Sequence, residues 1–116
     1  MERRIRLRRS SDVQRTREEG RSWSHPLLVL VAHPNELAFT RIGVIASRRL
    51  GQAVTRNRAK RLLREAGRHL YPRLAPGWDL LFIARPDIVG AAEGEVQKAA
   101  RFLAEQAGLM EKKRTL

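Results

Sequence analysis

The sequence of 116 residues contains no cysteine, which excludes a disulfide framework and a thiolate metal site. Acidic residues are scarce, since 12 Asp and Glu stand against 24 Lys and Arg, for a formal net charge of +12. No apolar run approaches the roughly 18 residues of a membrane span, and the arginine-rich N-terminus lacks the apolar core of a signal peptide. We therefore expect one cytoplasmic domain whose partner is a polyanion, with nucleic acid as the leading class.

The residues that would carry chemistry are few and dispersed. The three histidines, His25, His33 and His69, show no metal-ligand spacing. The three aspartates, Asp12, Asp79 and Asp87, are dispersed along the chain. We expect Asp79 to cap an element or face solvent, and Glu65 to pair with a neighbouring arginine. No glycine-rich phosphate loop is present. The chain alone therefore offers no catalytic residues and no metal ligands.

Cations are concentrated between residues 47 and 68, which hold eight Lys or Arg and one acid. Arginine dominates the whole chain, with only four lysines, and arginine binds phosphate in bidentate fashion and stacks on bases. From Val54 onward the pattern is helical, with Thr55 as the predicted N-cap after a basic loop that contains Gly51. The apolar sector comprises Ala59, Leu62, Leu63, Ala66 and Leu70. Neighbouring cations on the opposite face repel one another, which favours binding of an anionic ligand there.

The remaining chain predicts a small α+β domain. Residues 1–9 form a basic, flexible arm, and residues 10–20 a surface helix capped by Ser10 or Ser11. Residues 27–32 and 37–47 are predicted strands joined as an antiparallel hairpin. Residues 78–85 form a third strand, and residues 94–107 a final helix that ends at Gly108. Gly43, inside the second strand, predicts either a bulge or close approach of another backbone.

The order of elements is therefore helix, strand, strand, helix, strand, helix. We predict a single-domain α/β sandwich: a small, mostly antiparallel sheet with helices packed on it, spanning residues 10–108, followed by a basic tail at 109–116. A β-α-β crossover through the basic helix requires its two strands to be parallel neighbours. The general rule would make such a crossover right-handed.

The segment AVTRNRAKRLLREAGR, residues 53–68, resembles the RNR signature of the bacterial ribonuclease P protein family. The similarity extends upstream through RIGVIASRRLG and downstream to DLLFIAR, and covers about residues 6–107. The resemblance implies a subunit of an endoribonuclease that removes the 5′ leader of precursor tRNA. It implies two partners, ribonuclease P RNA and precursor tRNA, with the catalytic Mg²⁺ held mainly by the RNA and none bound by the protein alone. It also implies a left-handed crossover.

The resemblance further implies two sets of RNA contacts. The first set, which would bind the RNA subunit, comprises Arg48, Arg49, Arg56, Asn57, Arg58, Lys60, Arg61, Arg64 and Arg68. The second set would form a cleft for the leader and comprises Val13, Arg17, Phe39, Arg41 and Gly43. The family usually presents two bulky apolar or aromatic residues from the first helix to this cleft. Val13 and Arg17 stand there instead, which predicts a leader surface that relies more on charge than on stacking.

Four other classes compete with this interpretation. A structural RNA-binding protein, such as a basic ribosomal protein, fits the charge and size equally well. A helix-turn-helix DNA binder would need a helix where the sequence has a strand pattern, so no DNA partner is expected. An autonomous nuclease would need an acidic cluster for Mg²⁺. Membrane-surface binding is disfavoured because the basic helix has no Trp or Phe to bury in an interface.

Overall fold

The computed structural model describes residues 2–111. Three α-helices and four strands occur in the order α1 (Ser10–Glu19), β1 (Arg21–Ser24), β2 (Leu28–Pro34), β3 (Arg41–Ile45), α2 (Ala53–Leu70), β4 (Trp78–Ala84) and α3 (Glu93–Gln106). Short 3-10 turns lie at Arg3–Ile5, Arg48–Leu50, Tyr71–Arg73 and Pro86–Gly90. The strands form one sheet in the order β1-β2-β4-β3. The predicted α+β single domain is confirmed.

The predicted hairpin between residues 27–32 and 37–47, which correspond to β2 and β3, is wrong, because β4 lies between these two strands. Strand β4 pairs antiparallel with β2 and parallel with β3. Its segment WDLLFIA has almost no exposed position, so it needs a neighbour on each side and cover on both faces. Strand β3, which contains Arg41 and Gly43, tolerates the outer position better. The β3–α2–β4 crossover between parallel neighbours is therefore present, and its left-handed sense stays a prediction.

Strand β1 was not predicted from the sequence. Its residues RSWS lack an apolar alternation, and only Trp23 is half-buried. The strand forms because the turn at His25 returns the chain along β2, with the backbone N–H of His25 donating to Leu28 O at 2.9 Å. Pairing with the edge of β2 then runs from Arg21 to Ser24.

Helices α2 and α3 pack on one face of the sheet and form the main core. The predicted apolar sector of α2 is confirmed, since all five of its residues are 7% exposed or less. On α3 the buried residues are Val96, Ala99, Ala100, Leu103 and Ala104. The sheet contributes Leu30, Leu80 and Phe82, each nearly inaccessible to solvent.

Two of the predicted helix caps are wrong. Helix α2 begins at Ala53 with Gln52 in the N-cap position, three residues before the expected Thr55 cap. Helix α1 begins at Ser10 itself, after Arg9, so neither Ser10 nor Ser11 precedes it as a cap. Helix α3 ends at Gln106, and the predicted glycine after it is confirmed, because the φ of 72° at Gly108 lies in the left-handed region that favours glycine.

The N-terminal segment lies along the outer edge of β3 instead of projecting as an arm. Ile5 and Leu7 are buried, and the backbone N–H of Leu7 donates to Ile42 O at 2.9 Å. Arg6 forms a parallel bridge with Ile42, so residues 5–7 act as an additional edge next to β3. At the other end, Leu109 is buried and Met110 bridges to Leu74. The basic residues 112–114 of the predicted tail lie outside the described residues.

Candidate nucleic-acid interface

Helix α2 presents its cations on the side opposite the core. Asn57, Arg58, Arg61, Arg64 and Arg68 are exposed, whereas Arg56 and Lys60 are half-buried. Arg61 and Arg64 have no carboxylate within 4.0 Å among residues 2–111, so their charges are available to a ligand. Val54, in the first turn of this helix, is 81% exposed although it is apolar. The helix thus offers a cationic face with unpaired guanidinium groups.

Two arginines of the predicted RNA-binding set already have partners within the protein. Arg58 donates to the carbonyls of Val89 and Ala91, both at 3.1 Å, which ties α2 to the turn before α3. Arg68 donates to Glu65 at 2.9 Å, and this hydrogen bond lowers the pKa of the Glu65 carboxyl group below its usual range. The prediction that Glu65 pairs with a neighbouring arginine is confirmed. Both arginines are therefore less free to bind phosphate than Arg61 or Arg64.

Arg56 is in a different situation. Its Nε atom is buried and has no hydrogen-bond partner in the part of the chain that the structure describes.

Arg48 and Arg49 lie just before α2 in an exposed 3-10 turn that ends at Gly51, which has a φ of 132°. The predicted basic loop is therefore present, and it places two further cations at the N-terminal end of α2.

A cleft lies on the other face of the sheet, between α1, the N-terminal segment and β3. It encloses about 310 Å³. Its lining comprises Arg6, Leu7, Arg8, Val13, Ile42, Gly43, Val44, Ile45, Arg64 and Leu81. Val13 and Gly43, two residues of the predicted leader set, are thus brought together. Arg64 also reaches this cleft from α2, which joins the two predicted contact surfaces.

Gly43 forms the closest approach in the cleft. A Cβ atom at this position would lie 2.7 Å from Leu7 O and 3.0 Å from Leu81 Cδ2. Because the backbone oxygen of Leu7 cannot move without shifting its segment, a side chain at residue 43 would displace the N-terminal segment. The predicted close approach of another backbone is confirmed.

Arg41, a third member of the leader set, is held by two aspartates. Its Nε and Nη2 donate to the two carboxylate oxygens of Asp79 at 2.8 and 2.7 Å, and its Nη1 donates to Asp12 at 3.4 Å. The hydrogen bonds that Arg41 donates to Asp79 raise the pKa of the Arg41 guanidinium group. Asp79 is only 3% exposed, so the expectation that it caps an element or faces solvent is wrong. Much of the charge of Arg41 is therefore neutralised within the fold.

Like Arg41, the last two residues of the leader set, Phe39 and Arg17, are not part of the lining of this cleft. Phe39 is half-buried and stacks under the guanidinium group of Arg4, which lies 5.3 Å from the ring centroid. Arg17 is exposed on α1 and does not line the cleft. The two neighbouring acids are bonded elsewhere, Glu18 to Gln14 and Glu19 to His33. Within residues 2–111, Arg17 forms no ion pair.

Sequence reasoning missed the contribution of the N-terminal segment to the cleft. Arg6 and Arg8 line it, and Leu7 forms part of its floor. A signal was present in residues 4–8, RIRLR, where apolar and cationic residues alternate with the period of a strand. The density of positive charge favoured interpretation of the segment as a flexible arm instead.

The acidic residues do not fit an Mg²⁺ ion. Across residues 2–111, no group of three or more His, Cys, Asp or Glu side chains is placed to hold a metal. Asp12 and Asp79 do converge, but they meet at the guanidinium group of Arg41, whose charge repels a cation. Among the same residues, no helix is long and apolar enough to cross a membrane.

The fold and this surface define a basic α+β domain built to bind polyanions, with a cationic helix face joined to a cleft on the other side of the sheet. Comparison with known proteins gives the family. The family model "Ribonuclease P" matches residues 1–108, and the chain belongs to the ribonuclease P protein family.

Individual relatives agree with this family. The ribonuclease P protein component of Herpetosiphon aurantiacus is 47% identical over 109 residues, which cover 94% of this chain and 89% of that protein. The corresponding protein of Roseiflexus castenholzii is 45% identical over 112 residues, or 96% and 92% of the two chains.

Solved structures give the same fold. The RNase P protein of Staphylococcus aureus superposes with a TM-score of 0.82 at 26% identity, covering 92% of this chain and 98% of that one. The RNase P protein from Thermotoga maritima gives a TM-score of 0.76 at 26% identity, covering 86% and 96%. The similarity therefore extends over nearly the full length of each protein.

Proposed function

We propose that this chain is the protein subunit of ribonuclease P and assists removal of the 5′ leader from precursor tRNA. The exposed face of α2 and the loop at Arg48 and Arg49 bind the RNA subunit. The cleft next to Val13 and Gly43 holds the leader. The observation that carries this proposal is the position of Arg64, which belongs to the basic face of α2 and also lines the cleft.

Among residues 2–111, the protein supplies cations and a shaped surface, without a group of acidic or histidine ligands for a metal ion. Its part in the reaction is therefore to bind and orient. Unpaired guanidinium groups neutralise phosphates of the RNA subunit and of the substrate, which raises the affinity of the complex. The catalytic Mg²⁺ belongs to the RNA in this proposal, and the complex works in the cytoplasm.

The leader cleft combines charge with a small apolar floor. Arg6, Arg8 and Arg64 surround it, and Leu7 and Leu81 lie at its base. Phosphates of a single strand are attracted by the rim whatever the sequence, and base faces can pack on apolar and guanidinium surfaces. Arg41 contributes less than the sequence predicted, because Asp79 and Asp12 already pair with it.

The test is a reconstitution at low Mg²⁺ concentration. Purified protein is added to a ribonuclease P RNA, and cleavage of a precursor tRNA is followed by release of its leader. We expect the protein to lower the Mg²⁺ requirement, because its cations replace part of the ionic screening between two RNAs. The variant Arg61→Ala, which removes one exposed charge, should reduce the effect.

Two outcomes would contradict the proposal. If the protein binds the RNA but leaves cleavage unchanged at every Mg²⁺ concentration, it is a structural RNA-binding protein instead. If RNA-free protein cleaves precursor tRNA, and substitution of one of its carboxylates abolishes that cleavage, the chemistry lies in this chain.

A further inference from the structure

A second concave surface adjoins the leader cleft and is more strongly charged. This outer hollow encloses about 690 Å³ and is lined by Arg3, Arg6, Arg8, Arg9, Asp12 and Arg41. The cleft and the outer hollow share Arg6 and Arg8, so they form one continuous depression. None of these residues belongs to the helix α2 or to the RNR segment.

Four of the five arginines of the N-terminal segment are free to bind an anion. Within residues 2–111, none of Arg3, Arg6, Arg8 and Arg9 forms an ion pair, and all four are exposed. The hollow also contains one acid, Asp12, and one further cation, Arg41. Asp12 contacts Arg15 and Arg41, both at 3.4 Å, so its charge is already matched by cations that do not belong to this group.

The segment that carries these arginines is fixed to the domain. Burial of Ile5 and Leu7 and the hydrogen bond from Leu7 N to Ile42 O hold it beside β3. Because side chains alternate along an extended segment, Arg6 and Arg8 project away from the buried positions. A ligand therefore meets cations whose backbone is already ordered, which reduces the entropic cost of binding.

The two concave surfaces are arranged in order along β3. The outer hollow lies at Arg41, where the strand begins, and the cleft lies at residues 42–45, towards its end. The basic loop and α2 follow the end of β3. The outer hollow is thus the part of the depression at the opposite end of β3 from the basic loop.

We infer that the outer hollow binds the part of the precursor leader that extends beyond the cleft, through Arg3 and Arg9 in particular. The ligand is single-stranded RNA, recognised by its phosphates irrespective of base sequence. This inference rests on the proposed function. If α2 binds the RNA subunit, the leader enters the cleft from the side of α2 and leaves it towards the outer hollow.

The test compares a short and a long leader on the reconstituted holoenzyme. Precursor tRNAs with leaders of about 4 and about 12 nucleotides span the usual range of single-strand site sizes. The protein variant carries Arg3→Gln and Arg9→Gln. The control carries Arg73→Gln and Lys98→Gln, which remove the same charge from exposed positions outside both concave surfaces.

We expect the Arg3→Gln, Arg9→Gln variant to bind the long-leader substrate about tenfold more weakly at moderate salt, with unchanged affinity for the short-leader substrate. Its salt slope for the long leader should fall by about 1.4, since each phosphate contact on a single strand contributes roughly 0.7. The control should behave as wild type with both substrates. Thermal unfolding of the free proteins checks that both variants are folded.

An equal loss of affinity for both substrates would mean that Arg3 and Arg9 bind the RNA subunit, and it would overturn the inference. Unchanged affinity for both substrates would overturn it as well. Failure of the proposed function gives a different result, because the wild-type protein would then not stimulate cleavage of either substrate.

Discussion

Two adjacent residues of α2, Leu63 and Arg64, have opposite roles. Leu63 is completely buried in the main core, whereas Arg64 is exposed at the rim of the cleft. Leu63→Ala should lower the free energy of unfolding by about 2–5 kcal/mol, since it removes buried methyl groups and leaves a cavity. Urea denaturation measures this loss.

Arg64→Ala should leave the free energy of unfolding nearly unchanged and weaken RNA binding. Removal of one phosphate contact should reduce the salt slope by about one unit. Arg61→Ala is the matched variant, because Arg61 lies on the same face and does not line the cleft. If Arg64→Ala unfolds the domain while Leu63→Ala does not, the two faces of α2 have been assigned the wrong way round.

The ion pair between Arg41 and Asp79 should also contribute to the stability of the fold. Asp79→Ala would leave Nε and Nη2 of Arg41 without their acceptors in a site where only 21% of the arginine side chain is exposed. We expect a loss of about 3 kcal/mol in the free energy of unfolding, at the lower end for broken buried pairs, because Arg41 retains some access to water. Asp87→Ala, at an exposed position, is the control and should change stability by less than about 0.5 kcal/mol. Similar losses in both variants would show that the pair does not stabilise the fold.

At the scale of elements, the sequence predicted most helices and strands and failed on how they pair. The periodicity of α2 identified its buried face because all five apolar residues face one core. Pairing depends on competition between strands: β4 displaced β3 from the side of β2 because it is apolar on both faces. Local patterns do not contain that comparison. Strand β1 was missed because it is held by the backbone of β2 and carries little apolar signal of its own.

The candidate site could also be predicted from the sequence only in part. Membership of the basic face could be predicted, since exposure on a helix follows from spacing alone. Which arginines are free could not, because Arg58 meets carbonyls about thirty residues away and Arg41 meets an aspartate on another strand. The N-terminal segment joined the cleft through two buried residues, Ile5 and Leu7, within a highly charged sequence.

The docking of this segment against β3 can be tested at Gly43. In Gly43→Ala the new methyl group would meet the backbone oxygen of Leu7, so the segment must shift away from β3. We expect faster hydrogen exchange of the Leu7 amide, which donates to Ile42 in the native fold. Gly90→Ala is the control, since no atom lies within 4 Å of its Cβ position. Unchanged exchange at Leu7 would mean that the segment is not held by this close approach.

At the scale of the whole molecule, the net charge of +12 favours RNA binding but destabilises the free protein. A surface that binds RNA through unpaired cations must tolerate repulsion among them when RNA is absent. On α2, Lys60, Arg61 and Arg64 are neighbours at helical spacing, and like charges at such spacing destabilise a helix by a few tenths of a kcal/mol per pair. RNA binding relieves this repulsion and also stabilises the folded state by mass action.

The thermal midpoint of the free protein should therefore rise as monovalent salt increases from low to physiological concentration, because salt screens exposed charges. Arg61→Gln should raise the midpoint at low salt by about 1–3 °C and reduce its salt dependence. Arg101→Gln is the matched control on α3, where the cation is paired with Glu105 at 3.0 Å, so its removal should bring no gain. Calorimetry of the three proteins at several salt concentrations makes the comparison. Two results would contradict this prediction: a midpoint that falls with salt in the wild type, or an equal response of both variants. Either result would show that repulsion among the cations of α2 is too weak to destabilise the free protein.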